Sequence, residues 1–457
     1  MNTPKFLSRS TIYFFMVLFL INTNLSIASV DTAKVMAYNV LYYGNGCQGA
    51  DAEYHAYLAT ILKYTSPDII SLEKAASIKL TPTDEYGVAP YGFSDSILKY
   101  AFNAAFPNRY DYCTITNEAK ANNISIVFFD KTKFSFANIV STYVNGTDYN
   151  TYKLYLKTNG HTDTSYIYIT PNHTKSGDDF SLVRELQVAG NLSVLKQHFN
   201  ELGNHLFLGD FNSRSSEEGF YQLLTNNKDT DFQFYDPPFY PDSKINYPAK
   251  WDHNYVFSQY FTTSTRSTAG IPNSCGSVGG GKNWYDHIFI SKKLTDTNNR
   301  IHYLARSYRT IGNDGQRYKI SINNNNAHLN NSAPANVIDA LFHMSNKYPV
   351  MIDLLLDNKK EDHASHKEKY CANRIEKQEI TILSISKSEI DIYIPSELIG
   401  QELSINCSNN DGLIVLTKKK LIHDNEFKIE HDLSPGHYVI KFSGRHNLIN
   451  TTSVVVE

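Results

Sequence analysis

Leu206-Phe207-Leu208-Gly209-Asp210-Phe211-Asn212 reads as a short buried strand that stops abruptly at a turn. Side chains alternate along extended backbone, so Asp210 and Asn212 are expected on one side of the strand tip. A carboxylate beside a carboxamide suits the holding of a water or a phosphoryl oxygen near a hard cation. Read alone, the tetrad 209–212 is an Asx-turn that closes a strand. Its surroundings turn the reading toward chemistry.

Outward from this stretch, apolar runs at 35–38, 68–72, 124–129, 166–169, 288–290 and 350–354 have strand character. Helical spacing spans 54–64 and 183–199, the second with Leu186, Gly190 and Val194 expected on one face. Strands separated by helices and long loops predict an α/β fold, two packed sheets covered by helices, over residues 33–356. Residues 357–379 are dense in Lys, Glu, Asp and His and read as a solvated linker. Residues 380–457 alternate strongly, as in Ile390-Asp391-Ile392-Tyr393-Ile394, and predict a small all-β sandwich without a cluster of catalytic residue types.

At 457 residues the chain exceeds one ordinary domain. The formal net charge of -3 gives no global basic field, which argues against tight non-specific nucleic-acid binding but not against a phosphodiester substrate. Lys5 and Arg9 precede the apolar stretch 12–21, and Ser26-Ile27-Ala28 offers a cleavage site. A secretory signal peptide is therefore predicted over 1–28, an uncleaved anchor being the alternative, and no stable membrane span is expected later. The five cysteines are too few for a disulfide scaffold, and their odd number leaves at least one unpaired within the chain.

Polar residues mark the predicted strand ends in chain order. They are Asn39, then His173 and Lys175, with Arg184 opening the next helix, then Asp210 and Asn212, then Asp286. With Ala37-Tyr38-Asn39-Val40, Asn172-His173-Thr174-Lys175, Gly209-Asp210-Phe211-Asn212 and Tyr285-Asp286-His287-Ile288-Phe289, the order resembles the endonuclease/exonuclease/phosphatase (DNase-I-like) superfamily. Phe234-Tyr235-Asp236-Pro237 and Gly312-Asn313-Asp314-Gly315 look like secreted bacterial members. The resemblance implies a four-layer αββα sandwich and hydrolysis of a phosphoester, most plausibly in nucleic acid, by in-line attack of water with Mg²⁺, Mn²⁺ or Ca²⁺. By position it implies Asn39 beside the metal, His173, Lys175 and Arg184 on the phosphate, Asp210 and Asn212 on the attacking water, and Asp286 holding a catalytic histidine.

Two positions depart from that pattern. The family's metal-binding glutamate follows a Leu-Gln pair, whereas here Glu73 takes the glutamine place and Lys74 the glutamate place. The family's Ser-Asp-His is Ser345-Asn346-Lys347, so asparagine replaces the aspartate and lysine the general base. An ammonium 4 Å from a divalent cation is repelled by about 8 kcal/mol at an effective dielectric near 20. Lysine is also a poor base, with about one molecule in a few thousand unprotonated at pH 7. Impaired catalysis is expected, unless Glu73 reaches the metal through a bulge and His287 or His343 replaces the base. The alternative is a non-catalytic phosphate-, nucleic-acid- or surface-binding module on the same fold. The tail, through Leu433-Ser434-Pro435-Gly436-His437-Tyr438-Val439-Ile440 and Ser453-Val454-Val455-Val456, resembles a type IX secretion sorting domain. That resemblance implies type IX machinery as a partner and a secreted or cell-surface location, an ordinary accessory β-sandwich being the alternative.

Overall fold

The computed structural model describes residues 31–45, 51–77, 93–158, 161–240, 249–268, 275–326, 329–357, 380–386, 388–394, 402–409, 413–424, 426–443 and 448–456. The expected signal peptide, and all of the expected linker but Asp357, lie outside them. The chain divides into two compact units, Met1–Glu368 and Lys369–Glu457.

In the first unit the strands are β1 (Asp31–Tyr43), β2 (Ile69–Ala76), β3 (Tyr110–Tyr112), β4 (Asn123–Asp130), β5 (Phe134–Val144), β6 (Asp148–Thr158) and β7 (His161–His173). They continue with β8 (His205–Asp210), β9 (Phe234–Tyr235), β10 (Asp286–Ser291), β11 (Ile301–Tyr303), β12 (Arg309–Thr310) and β13 (Val350–Leu356). One sheet runs β11-β13-β1-β2-β4-β3, with β12 also on β13; the other runs β5-β6-β7-β8-β10-β9. The longer helices are α1 (Asp51–Thr65), α2 (Ser181–His198), α3 (Gly219–Thr225) and α4 (Ala335–Met344).

Strand periodicity sorts the apolar side chains into three cores. Along β1, Val35 and Ala37 enter the core between the sheets, with Leu206 and Leu208 of β8 and Ile288 and Ile290 of β10. Met36, Tyr38 and Val40 turn the other way, onto Leu58, Ile61 and Leu62 of α1 and Ile338 and Leu341 of α4. On the far side of the second sheet, Phe207 and Phe289 pack on Val188, Leu192 and Leu195 of α2 and Phe220 and Leu224 of α3. Helix, sheet, sheet, helix is the four-layer αββα sandwich.

The buried face of α2 differs from the expected one. Arg184, Gln187, Val188, Asn191, Leu192 and Leu195 are buried, whereas Leu186 is 57% exposed. The period is right and the phase is wrong, because polar side chains go inward to satisfy loop backbone: Gln187 Oε1 accepts from the Lys175 N–H at 2.9 Å. Asn39 also lies within β1, not at its end, beside a register irregularity.

The second unit is all-β, with β14 (Thr381–Ile385), β15 (Glu389–Tyr393), β16 (Glu402–Ser408), β17 (Ile414–Leu421), β18 (Glu426–Glu430), β19 (Gly436–Ser443) and β20 (Leu448–Val456). Sheets ordered β14-β15-β18 and β17-β16-β19-β20 share a core that includes Ile390, Ile392, Leu403, Ile405, Ile440 and Phe442. Cys275 is disulfide-bonded, and Cys113 and Cys407 are free. No helix among the described residues is long and apolar enough to cross a membrane.

Candidate functional site

Strand register brings the expected residues together. Parallel β7 and β8 set His173 opposite Asp210, and antiparallel β8 and β10 set Asp210 opposite Asp286. Parallel β1 and β2 set Asn39 opposite Glu73. By alternation Asn39, Asp210 and Asp286 face the same side as Ala37, Leu208 and Ile288 two places away, and Glu73 and His173 the same side as Ile69 and Ile169 four places away, all of the inter-sheet core. The five polar side chains therefore cap one end of that core. The close approach of β8 to β7 depends on Gly209, whose φ is +130° and whose missing Cβ would lie 2.0 Å from the Asn172 carbonyl oxygen.

Asp210 is the hub. Its Oδ2 accepts from Asn39 Nδ2 at 2.8 Å, and its Oδ1 accepts from the Asn212 N–H at 2.9 Å. Asn212, at φ +49°, turns its own Nδ2 onto the Thr174 carbonyl. The buried Lys347 ammonium stands 2.8 Å from Asp210 Oδ2, 3.8 Å from Asp286 Oδ2 and 4.5 Å from the centre of the Tyr285 ring.

Charge within the cluster follows from this geometry. Burial alone would raise the Asp210 carboxyl, but Lys347, His173 and the Asn212 N–H outweigh it and hold the group below the usual range. Burial raises the Asp286 carboxyl well above its usual range, and the Asp210 charge adds to the rise against Lys347. Glu73, wholly buried, is raised by burial too, with Asp286 and Asp210 pushing the same way and Ser71 opposing. Burial lowers the Lys347 amine, yet Asp210 and Asp286 more than restore it, so it stays protonated. Burial, with Lys74 and Lys347, lowers His173 to about 4 against the pull of Asp210. At neutral pH the cap holds the Lys347–Asp210 ion pair beside a neutral imidazole, with the Glu73 and Asp286 carboxyls both pushed toward their protonated forms.

Above the cap is a cavity of about 290 Å³, lined among others by Asn39, Lys74, His173, Asp210, Asn212, Arg214, Tyr285, Asn346 and Lys347. Lys74 adopts φ +63° at the register irregularity of β2, and its ammonium lies 3.8 Å over the Tyr42 ring. Arg214 is clamped by Asp178 and, at 3.2 Å, by Asp252. Its Nε is buried without a hydrogen-bond partner among the described residues.

Some expected residues stand elsewhere. Lys175 is exposed, with its amine 5.0 Å from the Phe180 ring, and does not line the cavity. Arg184 is buried and clamps Glu218 at 2.7 Å and the Lys175 and Gly177 carbonyls, so it shapes the loop instead of meeting a phosphate. Neither replacement base is placed to act. His287 faces the opposite side of β10 from Asp286, 0% exposed, between Ser213 Oγ at 2.7 Å and Asp236 Oδ2 at 3.2 Å. His343 stacks on Tyr57 and lies 3.5 Å from Asp339 on α4. The backbone bulge beside Glu73 exists, but Glu73 is not among the cavity-lining residues.

A divalent cation does not fit this donor set. No group of three or more His, Cys, Asp or Glu side chains among the described residues is arranged to hold a metal. The Asn39 side-chain oxygen is committed to the Leu41 N–H at 3.0 Å, and the accessible carboxylate, Asp210, already has a cation. Sequence reading gave no role to Arg214, two residues beyond the 209–212 tetrad, or to Tyr285, which begins the quoted 285–289 motif, because loop side chains have no periodic signal.

No family model and no curated protein matches the chain. Solved structures do. An endonuclease/exonuclease/phosphatase from Beutenbergia cavernae is 10% identical, with 93% of this chain and 99% of that one covered and a TM-score of 0.41. An endonuclease/exonuclease/phosphatase family protein from Bacteroides thetaiotaomicron is 14% identical over 72% and 99%, with a TM-score of 0.41. D. rerio TDP2, solved with a single-strand DNA product, is 14% identical over 71% and 99%, with a TM-score of 0.42. These are likenesses; the four-layer assignment stands on the chain's own strand order and cores.

Proposed function

We propose that the first unit is a phosphate-ester-binding module on a phosphodiester-hydrolase fold, in which metal-dependent hydrolysis is lost. The observation that carries this reading is Lys347, whose buried ammonium lies 2.8 Å from Asp210 and 3.8 Å from Asp286. A divalent ion there would meet a fixed positive charge, and its principal carboxylate is already neutralised. The residues facing the cavity still suit an anion. Lys74 supplies positive charge, Arg214 presents a guanidinium whose Nε is left unbonded by its two aspartate partners, and Asn39, Asn212 and neutral His173 supply short polar contacts. Nucleic acid is the first ligand to test.

The export reading belongs to the same proposal. The residues at 1–28 have the order of a signal peptide, and the disulfide at Cys275 suits an oxidising compartment. The C-terminal β unit would then act as a type IX sorting domain, delivering the chain to the cell surface or medium. Amino-terminal sequencing of chain recovered from the medium should begin near residue 29.

Purified chain in EDTA should bind a labelled oligonucleotide, measured by fluorescence anisotropy, and should show no turnover after addition of Mg²⁺, Mn²⁺ or Ca²⁺. Chelator-sensitive cleavage that disappears in Asp210→Ala would sink the non-catalytic reading.

A further inference from the structure

We infer that the free edge of β17 in the second unit is a docking site for an extended acidic segment of another protein, added as a further strand. The inference is independent of the cavity described above. Among the described residues β17 pairs only with β16, so its other edge offers unpaired backbone groups. The strand has almost no packed face: of its residues only Leu416 is partly buried, while Ile414, Val415 and Leu421 are 56%, 41% and 48% exposed.

Register shows what faces inward. Leu403 and Ile405 of β16 are core residues, and they lie opposite Lys420 and Lys418. Directly opposed residues share a face, so both lysines project on the core side of the sheet. There they line a cleft of about 630 Å³, whose other wall includes Phe427 and Ile429 of β18. The Lys420 ammonium reaches the Lys428 carbonyl at 3.3 Å and lies 5.1 Å from the Phe427 ring. Lys418 has no ion pair or hydrogen bond among the described residues. Of the acids bordering the cleft, Glu389, Glu426 and Glu430 are on outward positions of β15 and β18, with Glu389 paired with Lys428 at 3.0 Å, and Asp424 lies in the connection between β17 and β18.

Charge decides the occupant. A second copy pairing edge to edge would set Lys418, Lys419 and Lys420 against the same lysines, which is unfavourable. A partner strand with acids at two alternate positions would instead place a carboxylate against each inward lysine, while backbone bonds complete the sheet. The lysines thus exclude self-association and select the partner.

The test uses the full chain and a labelled nine-residue peptide with glutamate at two alternate positions and valine and threonine elsewhere. Anisotropy should show binding at least tenfold tighter than for the same peptide carrying lysines, and the difference should shrink in high salt. The double change Lys418→Glu with Lys420→Glu should invert the preference, and tight binding of the basic peptide would itself show that the variant is folded. Equal affinity for the two peptides, no binding of the acidic one, or an unchanged preference in the double variant overturns the inference. So does a dimer in sedimentation that the double change alters.

Discussion

The Lys347 ammonium and the Asp210 carboxylate form an ion pair at 2.8 Å, with their side chains 7% and 1% exposed. Removing one partner of a buried pair leaves an uncompensated charge, at a cost of about 3–5 kcal/mol. Lys347→Met is therefore expected to lower stability by that amount at neutral pH. Both tryptophans, Trp251 and Trp284, are buried in the first unit, so their fluorescence in urea reports this unit alone. Without the lysine, burial would raise the Asp210 carboxyl above its unfolded value. The deficit should then shrink as pH falls from 7.5 toward 5, and Asp210→Asn in the same chain should restore most of the loss. A deficit unchanged by Asp210→Asn would mean that Lys347 acts through packing.

The same pair explains why metal binding is absent from the proposed function. Changing Lys347→His, Lys74→Glu and Asn346→Asp together removes two ammonium groups from the cavity and adds two carboxylates. Calorimetry with Mn²⁺ should then show binding where the original chain shows none. A flat titration in a folded triple variant would place the obstacle in the backbone, at the register irregularity of β2 beside Glu73.

How much of this was legible beforehand differs by residue. His173, Asp210 and Asp286 were readable because each ends or opens a strand, and register in neighbouring strands forces such tips together. Two packed sheets covered by helices were readable from strand and helix periods, and the four-layer order was what the resemblance implied. The phase of α2 was not, because Arg184 and Gln187 look like surface residues until the loop they serve is known, and Asn191 is buried without a hydrogen-bond partner among the described residues. The resemblance drew attention to Lys347 at the expected base position, but not to its place as the internal counter-ion of Asp210. That depends on a three-dimensional distance.

Arg184 gives a prediction that separates binding from scaffolding. Its guanidinium holds Glu218 at 2.7 Å and two carbonyls of the loop leading from β7. Arg184→Met should lower stability by about 3 kcal/mol or more, by leaving buried Glu218 unpaired. Oligonucleotide affinity of the folded fraction should fall less than in Arg214→Met, since Arg214 lines the cavity. A larger affinity loss at Arg184 would return it to the phosphate-contacting set.

His173 links the site to pH. Its pKa is lowered from 6.5 to about 4, so between those values the unfolded chain binds more protons, and its contribution is lost as pH falls through that window. The raised carboxyls of Glu73 and Asp286 act oppositely, losing stability as pH rises above the ordinary carboxylate range. Measured stability is the difference of these effects, so a variant must isolate one. His173→Gln should lessen the acid-side loss by up to about 2 kcal/mol between pH 6.5 and 4.5 in tryptophan-monitored urea unfolding. An identical pH profile in the variant would mean that His173 titrates normally in the folded chain.

Gly209 tests the geometry on which the cap depends. Its φ of +130° is strained for any residue with a Cβ, and the added carbon would lie 2.0 Å from the Asn172 carbonyl oxygen. That oxygen belongs to backbone, so no side chain can swing aside to relieve the clash. The strands must separate, and with them His173 and Asp210, which the same register pairs one residue further on. Gly209→Ala is therefore expected to destabilise the first unit by more than about 3 kcal/mol and to weaken oligonucleotide binding by whatever remains folded. Near-original stability together with full binding would show that β7 and β8 need not approach so closely for the cap to form.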